Sequence, residues 1–239
     1  MLFILIPLIV LHIATNYFLT YKLVQAEIVL RAFITTFTAA SASTIILAIL
    51  GIPLSYILAR RDFRGKSIVE SIIDIPLVIP HAVVGILILV AYSSRTSIGN
   101  ILSNLGLIVE DNFWGIVFVM VYVSAPLLVD SVKDGFKSVD PMLEYVARTL
   151  GAGPYRTFFS ISLPMAWRSV VTGIILSWAR AVSEVGALLI VAYYPKTINI
   201  LIIEWFNTFG LEYAKSLTVP LLVICIVLFA CIRYLSRRA

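Results

Sequence analysis

Six stretches of the chain stay apolar long enough to cross a bilayer as helices, for which about 20 residues are needed. They run approximately over 2–20, 31–59, 67–92, 113–132, 165–194 and 216–235. Short polar segments separate them, and only 133–164 is a polar stretch of any size. The pattern therefore predicts an all-α, polytopic membrane helix bundle of six spans, forming a single transmembrane domain over 1–239. A β-barrel would instead show alternating segments of about ten residues. The first run reads as a span rather than a removed leader, because neither a basic lead-in nor a small-residue cleavage site accompanies it.

Composition agrees with this reading. Of 239 residues, 61% are hydrophobic and 13% charged, and the mean hydropathy is +1.03. Those values exclude a water-soluble enzyme and a disordered chain. The net charge of +5 could point to nucleic acid. Its placement points to membrane topology instead. Arg60, Arg61, Arg64, Lys66, Lys133, Lys137, Arg148, Arg156, Arg168, Arg233, Arg237 and Arg238 fall on one side of the predicted bundle. Only Lys22, Arg31, Arg95, Lys196 and Lys215 fall on the other. Lys and Arg concentrate in cytoplasmic loops, so both termini and the two basic loops are expected in the cytoplasm, with no nucleic-acid partner. Tyr92, Trp114, Tyr193 and Tyr194 near span ends fit an interfacial belt. Cys225 and Cys231, six apart on one helix, point about 120° from each other and support neither a disulfide nor a metal site.

Within 133–164, Asp140-Pro141 reads as a helix cap followed by proline at the first helical position, and Gly151 as the stop. Met142, Leu143, Val146, Ala147 and Leu150 then share an arc of about 140°. Glu144 and Arg148 project opposite, one turn apart. A second helix starts at Pro154. Such a hairpin folds its apolar face onto its own bundle, lies on lipid, or docks on a partner.

Two further places carry polar groups at membrane depth. DIPLVIPH, 74–81, puts Pro76 and Pro80 four apart in span three, which predicts a bent or interrupted helix with Asp74 near its basic-loop end. A simple kink with Asp74 reaching the interface fits equally. His81 reads as a packing residue with no chemistry assigned. In span five, Ser169, Gly173, Ser177, Arg180, Glu184 and Ala187 fall in an arc of about 80°, with Val171, Ile175, Trp178, Val182 and Leu189 opposite. The polar face either lines a path or holds a structural Arg180–Glu184 pair. The chain carries no P-loop and no Cys/His metal cluster. An ion-coupled secondary transporter would show the same broken helices, but usually also an internal repeat.

The run 144–164, EYVARTLGAGPYRTFFSISLP, resembles the coupling ("EAA") loop of ABC-importer permeases, with Tyr145 and Val146 departing from the usual pattern. Residues 74–81 and 177–187 (SWARAVSEVGA) are similar to segments of the oxyanion-importing branch, and the likeness extends over about 30–235. The resemblance implies the permease subunit of an ATP-driven importer for a tetrahedral oxyanion, molybdate or tungstate, with sulfate or thiosulfate as the alternative. It further implies a second copy of the chain, two cytoplasmic ABC ATPase subunits that bind the ATP and Mg, and an external oxyanion-binding protein. No cofactor is expected in this chain. Its setting would be the bilayer of a prokaryotic plasma membrane. The resemblance assigns ATPase coupling to Glu144, Ala147, Arg148, Gly151, Ala152 and Pro154. It assigns the translocation path or gate to Asp74, Pro76, Pro80, Ser177, Arg180, Ser183 and Glu184.

Overall fold

The computed structural model describes residues 2–238, without the side chains of Leu2, Ile4 and 231–238. Cys231 and the tail basic residues Arg233, Arg237 and Arg238 thus lie outside the described side chains. Every regular element among the described residues is helical.

The first predicted span is two helices, α1 (Leu2–Ile13) and α2 (Tyr17–Val24). The break has a local cause: the Asn16 side chain accepts hydrogen bonds from the backbone N–H groups of Phe18 and Leu19, which starts a new helix. Then follow α3 (Glu27–Arg60), α4 (Lys66–Val78) and α5 (His81–Tyr92). The predicted interruption of span three is present between α4 and α5. Pro76 is absorbed inside α4, and it is Pro80 that ends the helix by holding Ile79 extended, with ψ 144°.

Next come α6 (Ser97–Asn104) and α7 (Phe113–Ser138), which carries Pro126 internally. The hairpin region comprises α8 (Pro141–Thr149), α9 (Pro154–Thr157), a π-helical turn over Phe158–Ser162 and α10 (Leu163–Met165). The chain continues as α11 (Trp167–Val182), α12 (Leu188–Val191), α13 (Ile198–Phe209) and α14 (Leu211–Arg238).

Span five departs from the expected 165–194. Its helix ends at Val182, and 183–187 is irregular. The Glu184 carboxylate accepts from the Ala187 N–H at 2.9 Å, a local side-chain bond that competes with helix continuation. Helix α3, helix α7 and the first 20 residues of α14 are long and apolar enough to cross a membrane. The α5–α6 pair, bent by 78°, and the Pro154–Met165/α11 pair, bent by 75°, raise that number to five if each is one broken span.

By Cα packing the chain forms two compact units. One comprises 1–39, 81–119 and 183–233. Its core gathers Val29, Ala32 and Phe33 of α3 with Ile198 and Leu201 of α13 and Leu217 of α14. Thr36 of α3 accepts the Ile198 N–H at 2.8 Å, which fixes where α13 starts. Helix α13 lies between the predicted spans five and six. The other unit comprises 40–80, 120–182 and 234–239. Its core joins Leu47, Leu128, Val132, Phe136, Val139, Ala166 and Val170, with Tyr56 and Phe158 packed against it.

Candidate functional site

The hairpin is built from its caps. Asp140 accepts the Met142 N–H at 2.9 Å, and Gly151 adopts φ +90°, so α8 starts and stops where the sequence places its punctuation. Its apolar face stays open: Met142 is 60%, Leu143 40%, Val146 49% and Leu150 83% exposed. Ala147, expected on that face, is buried instead, on the same side as Glu144. The helix therefore sits on its own unit through its polar side. Of the possibilities left by the sequence, this removes one: the apolar stripe does not fold onto its own unit. Tyr155 and Phe159 beyond it are also exposed.

Glu144 is 4% exposed and fully engaged. Its Oε1 accepts from Arg60 Nε and from Ser162 Oγ, each at 2.8 Å. Its Oε2 accepts from the Tyr56 hydroxyl at 2.8 Å, and Arg148 stands 3.8 Å away. Arg60 also donates to the Val139 carbonyl at 2.9 Å. Burial alone would raise the Glu144 carboxyl, but the bonds from Ser162, Tyr56 and Arg60 outweigh it and hold the group below its ordinary value. Tyr56 is seated by edge-on contacts with Phe136 and Phe158, at 5.2 and 5.0 Å between ring centroids. Sequence reasoning had singled out Glu144 but not Tyr56, Arg60 or Ser162. Their separations of 84 and 88 residues, for Arg60 and Tyr56, left no local signal. Beside this network lies a cleft of about 360 Å³ lined by Arg60, Arg61, Arg148, Tyr145, Pro141 and Pro154. Ala152 donates its N–H to the Ala147 carbonyl at 3.0 Å, closing the turn at Gly151.

In the same unit, Asp74 of α4 faces Asp130, Lys133 and Glu70. Lys133 bonds Asp130 at 2.7 Å and reaches Glu70 at 3.3 Å. Asp74 Oδ1 is buried without a hydrogen-bond partner among the described residues. So is Ser177 Oγ of α11. The small face of α11 packs closely on α7: a Cβ at Gly173 would lie 3.1 Å from the Leu128 carbonyl. One at Gly135 would lie 2.2 Å from Ser169 Cβ. The opposite face is not uniformly apolar surface, since Ile175 and Val182 are buried and Trp178 donates to Ser41 at 3.3 Å.

Because α11 ends at Val182, Arg180 and Glu184 do not share one helix face, which corrects the single-stripe expectation. Arg180 lies in the unit that holds α11, in the segment that ends at Val182. Ser183 and Glu184 belong to the unit that holds α5. There Glu184, 1% exposed, stands 2.9 Å through Oε2 from Nδ1 of His81, the first residue of α5. Asn199 donates to its backbone carbonyl at 3.2 Å. The Gly186 backbone passes so close that a Cβ there would lie 2.7 Å from His81 Cβ. His81 thus has a definite charged partner that its sequence context did not announce.

Among the described residues no group of three or more His, Cys, Asp or Glu could hold a metal ion.

Residues 51–239 match the family described as "Binding-protein-dependent transport system inner membrane component". The chain is 44% identical over 239 residues to the molybdate/tungstate transport system permease protein WtpB of Pyrococcus abyssi, covering 99% of this chain and 91% of that one. It is 48% identical to the protein of the same description from Methanocaldococcus jannaschii, covering 99% and 93%. Its fold is similar to a chain of a bacterial alginate ABC transporter solved with a pentasaccharide-bound periplasmic protein, with TM-score 0.77, 20% identity, and coverage of 97% and 88%.

Proposed function

The chain belongs to the binding-protein-dependent transport system inner membrane component family, and from that premise we propose that it is the permease subunit of an ABC importer for molybdate or tungstate. The chain is a multi-pass membrane protein of all-helical permease fold. In this family ATP hydrolysis belongs to a separate ATPase subunit. The substrate class follows from the two archaeal relatives, both described as molybdate/tungstate permeases and matched nearly end to end.

The observation that carries the reading is the hairpin. A helix that buries its carboxylate and leaves four large apolar side chains open on a polar loop presents a docking face. An ATPase subunit is the partner we assign to it, with Ala147, Gly151, Ala152 and Pro154 shaping the turn and Arg148 beside it. The bias of Lys and Arg supports cytoplasmic placement of this loop and of both termini. In the full reading, α1 with α2, α3, α4 with α5, α7, α11 and α14 make six crossings. Two copies flank one pathway in a prokaryotic plasma membrane, two ATPases bind the ATP and Mg, and an external protein delivers the anion. This chain itself needs no cofactor. The gate role of Asp74, Pro76, Pro80, Ser177, Arg180, Ser183 and Glu184 belongs to the same proposal. The helix interruptions at Pro80 and after Val182 support it, because irregular backbone at membrane depth occurs where it is buried in protein or lines a cavity.

The test is reconstitution of the chain with its ATPase and binding protein in proteoliposomes. ATP inside and anion-loaded binding protein outside should drive molybdate or tungstate uptake. Uptake powered by an ion gradient without ATP would refute the reading.

A further inference from the structure

Helix α8 has nine residues and few means of transmitting force. Its exposed face offers apolar side chains to a partner, and its buried face offers Ala147 and one charged group. That group, Glu144, contacts two other elements: α3 through Tyr56 and Arg60, and the π-helical turn through Ser162. Both carboxylate oxygens are occupied by donors from this chain, and the side chain is 6% exposed. A carboxylate so placed has little reach toward an outside protein. It is instead a fixed point through which α8 grips the end of a 34-residue helix.

Arg60 strengthens the grip. One guanidinium bonds both Glu144 and the Val139 carbonyl, the residue just before the α8 cap. The entry to α8 and its middle are therefore held by the same side chain. Ser162 sits on a π-helical turn, an irregularity that places its hydroxyl toward Glu144 and that recurs at functional sites in other helices. Rotation or sliding of α8 must either break these bonds or carry α3 and the turn along.

We infer that Tyr56, Arg60 and Ser162 are the residues through which Glu144 couples the partner-facing helix to the spans, so that Glu144 acts inward rather than on the ATPase. The inference rests on the permease reading above and names the positioning residues within it. Docking falls to Met142, Leu143, Val146 and Leu150. Transmission falls to the Glu144 network.

The experiment uses the complete complex, permease with ATPase, in lipid, with and without anion-loaded binding protein. Tyr56→Phe and Ser162→Ala each remove one bond to Glu144 and almost no volume. Both variants should keep the ATPase bound and keep basal ATP hydrolysis within about two-fold of the parent. Stimulation by loaded binding protein should fall about ten-fold, the scale of one hydrogen bond to a charged group. Adding Glu144→Gln to Tyr56→Phe should cause little further loss, because both act on one path. Parent-like stimulation in both single variants would overturn the inference, as would loss of the ATPase from them. A parent complex that ignores loaded binding protein altogether would refute the permease reading, and this inference with it.

Discussion

Removing Arg60 alone should cost more than removing Arg60 and Glu144 together. The Arg60–Glu144 pair is buried, with side chains 11% and 6% exposed, and joined at 2.8 Å. Arg60→Met keeps most of the side-chain bulk but leaves Glu144 a buried anion with the hydroxyls of Tyr56 and Ser162 and, at 3.8 Å, the half-exposed Arg148. Breaking one side of such a pair costs about 3–5 kcal/mol. At about 2–4 °C per kcal/mol for a chain of this size, the midpoint of thermal unfolding should drop by about 6–20 °C. Arg60→Met with Glu144→Leu removes the stranded charge, and an apolar replacement of a buried pair is often close to neutral. Tyr56, which lines the cleft, can turn to water and Ser162 still reaches the Thr157 carbonyl at 3.5 Å, so the residual cost is mainly that of the Val139 carbonyl, about 1–3 kcal/mol if it stays dry. The double variant should therefore recover about half of the loss or more. Unfolding of purified protein in one detergent at fixed salt, followed by tryptophan fluorescence, reads this directly. Additive losses in the double variant would refute the pairing argument.

Glu144 also sets a pH dependence. Its folded value lies below the ordinary 4.5, so its contribution is complete above that pH and is lost as pH falls through the folded value. Glu144→Gln should flatten the acid limb of a stability–pH curve, and an unchanged limb would count against the network. At Gly151, with φ +90° and open space around its Cβ position, Gly151→Val should loosen ATPase co-purification while Gly151→Asn is tolerated. Equal behaviour of the two would mean that backbone strain is not the cause. Gly135→Ala places a methyl 2.2 Å from Ser169 Cβ, so yield and unfolding temperature should fall by an overpacking cost of about 1–3 kcal/mol. His81→Ala withdraws a partner from buried Glu184 and should destabilise the protein more than His81→Ala combined with Glu184→Gln, judged by the fraction remaining monodisperse after heating.

Punctuation residues made much of this structure legible. Asp140-Pro141 and Gly151 bound α8 closely, and Pro80 marks the break in span three, because caps and prolines act within a few residues of themselves. The far end of span five was not legible. No proline lies between Val182 and Leu188, and the break depends on a carboxylate turning back onto the Ala187 N–H. The helical wheel showed that Glu144 opposes the apolar stripe, yet periodicity is silent on which of two faces meets the bundle. That choice was made by Tyr56, Arg60 and Ser162, whose proximity is a property of the folded chain. The pairing of His81 with Glu184 was hidden for the same reason.

The open apolar face of α8 has one more consequence, for the life of the subunit before assembly. On the reading proposed above, a copy inserted into the membrane ahead of its ATPase leaves Met142, Leu143, Val146 and Leu150 uncovered. Surface of that kind is what chaperones and proteases engage. Under the proposed docking, the helix that would serve the finished transporter as a contact is, in the orphan subunit, a visible flag of incompleteness. Abundance of the permease should accordingly track that of its ATPase, through clearance of the unpaired excess.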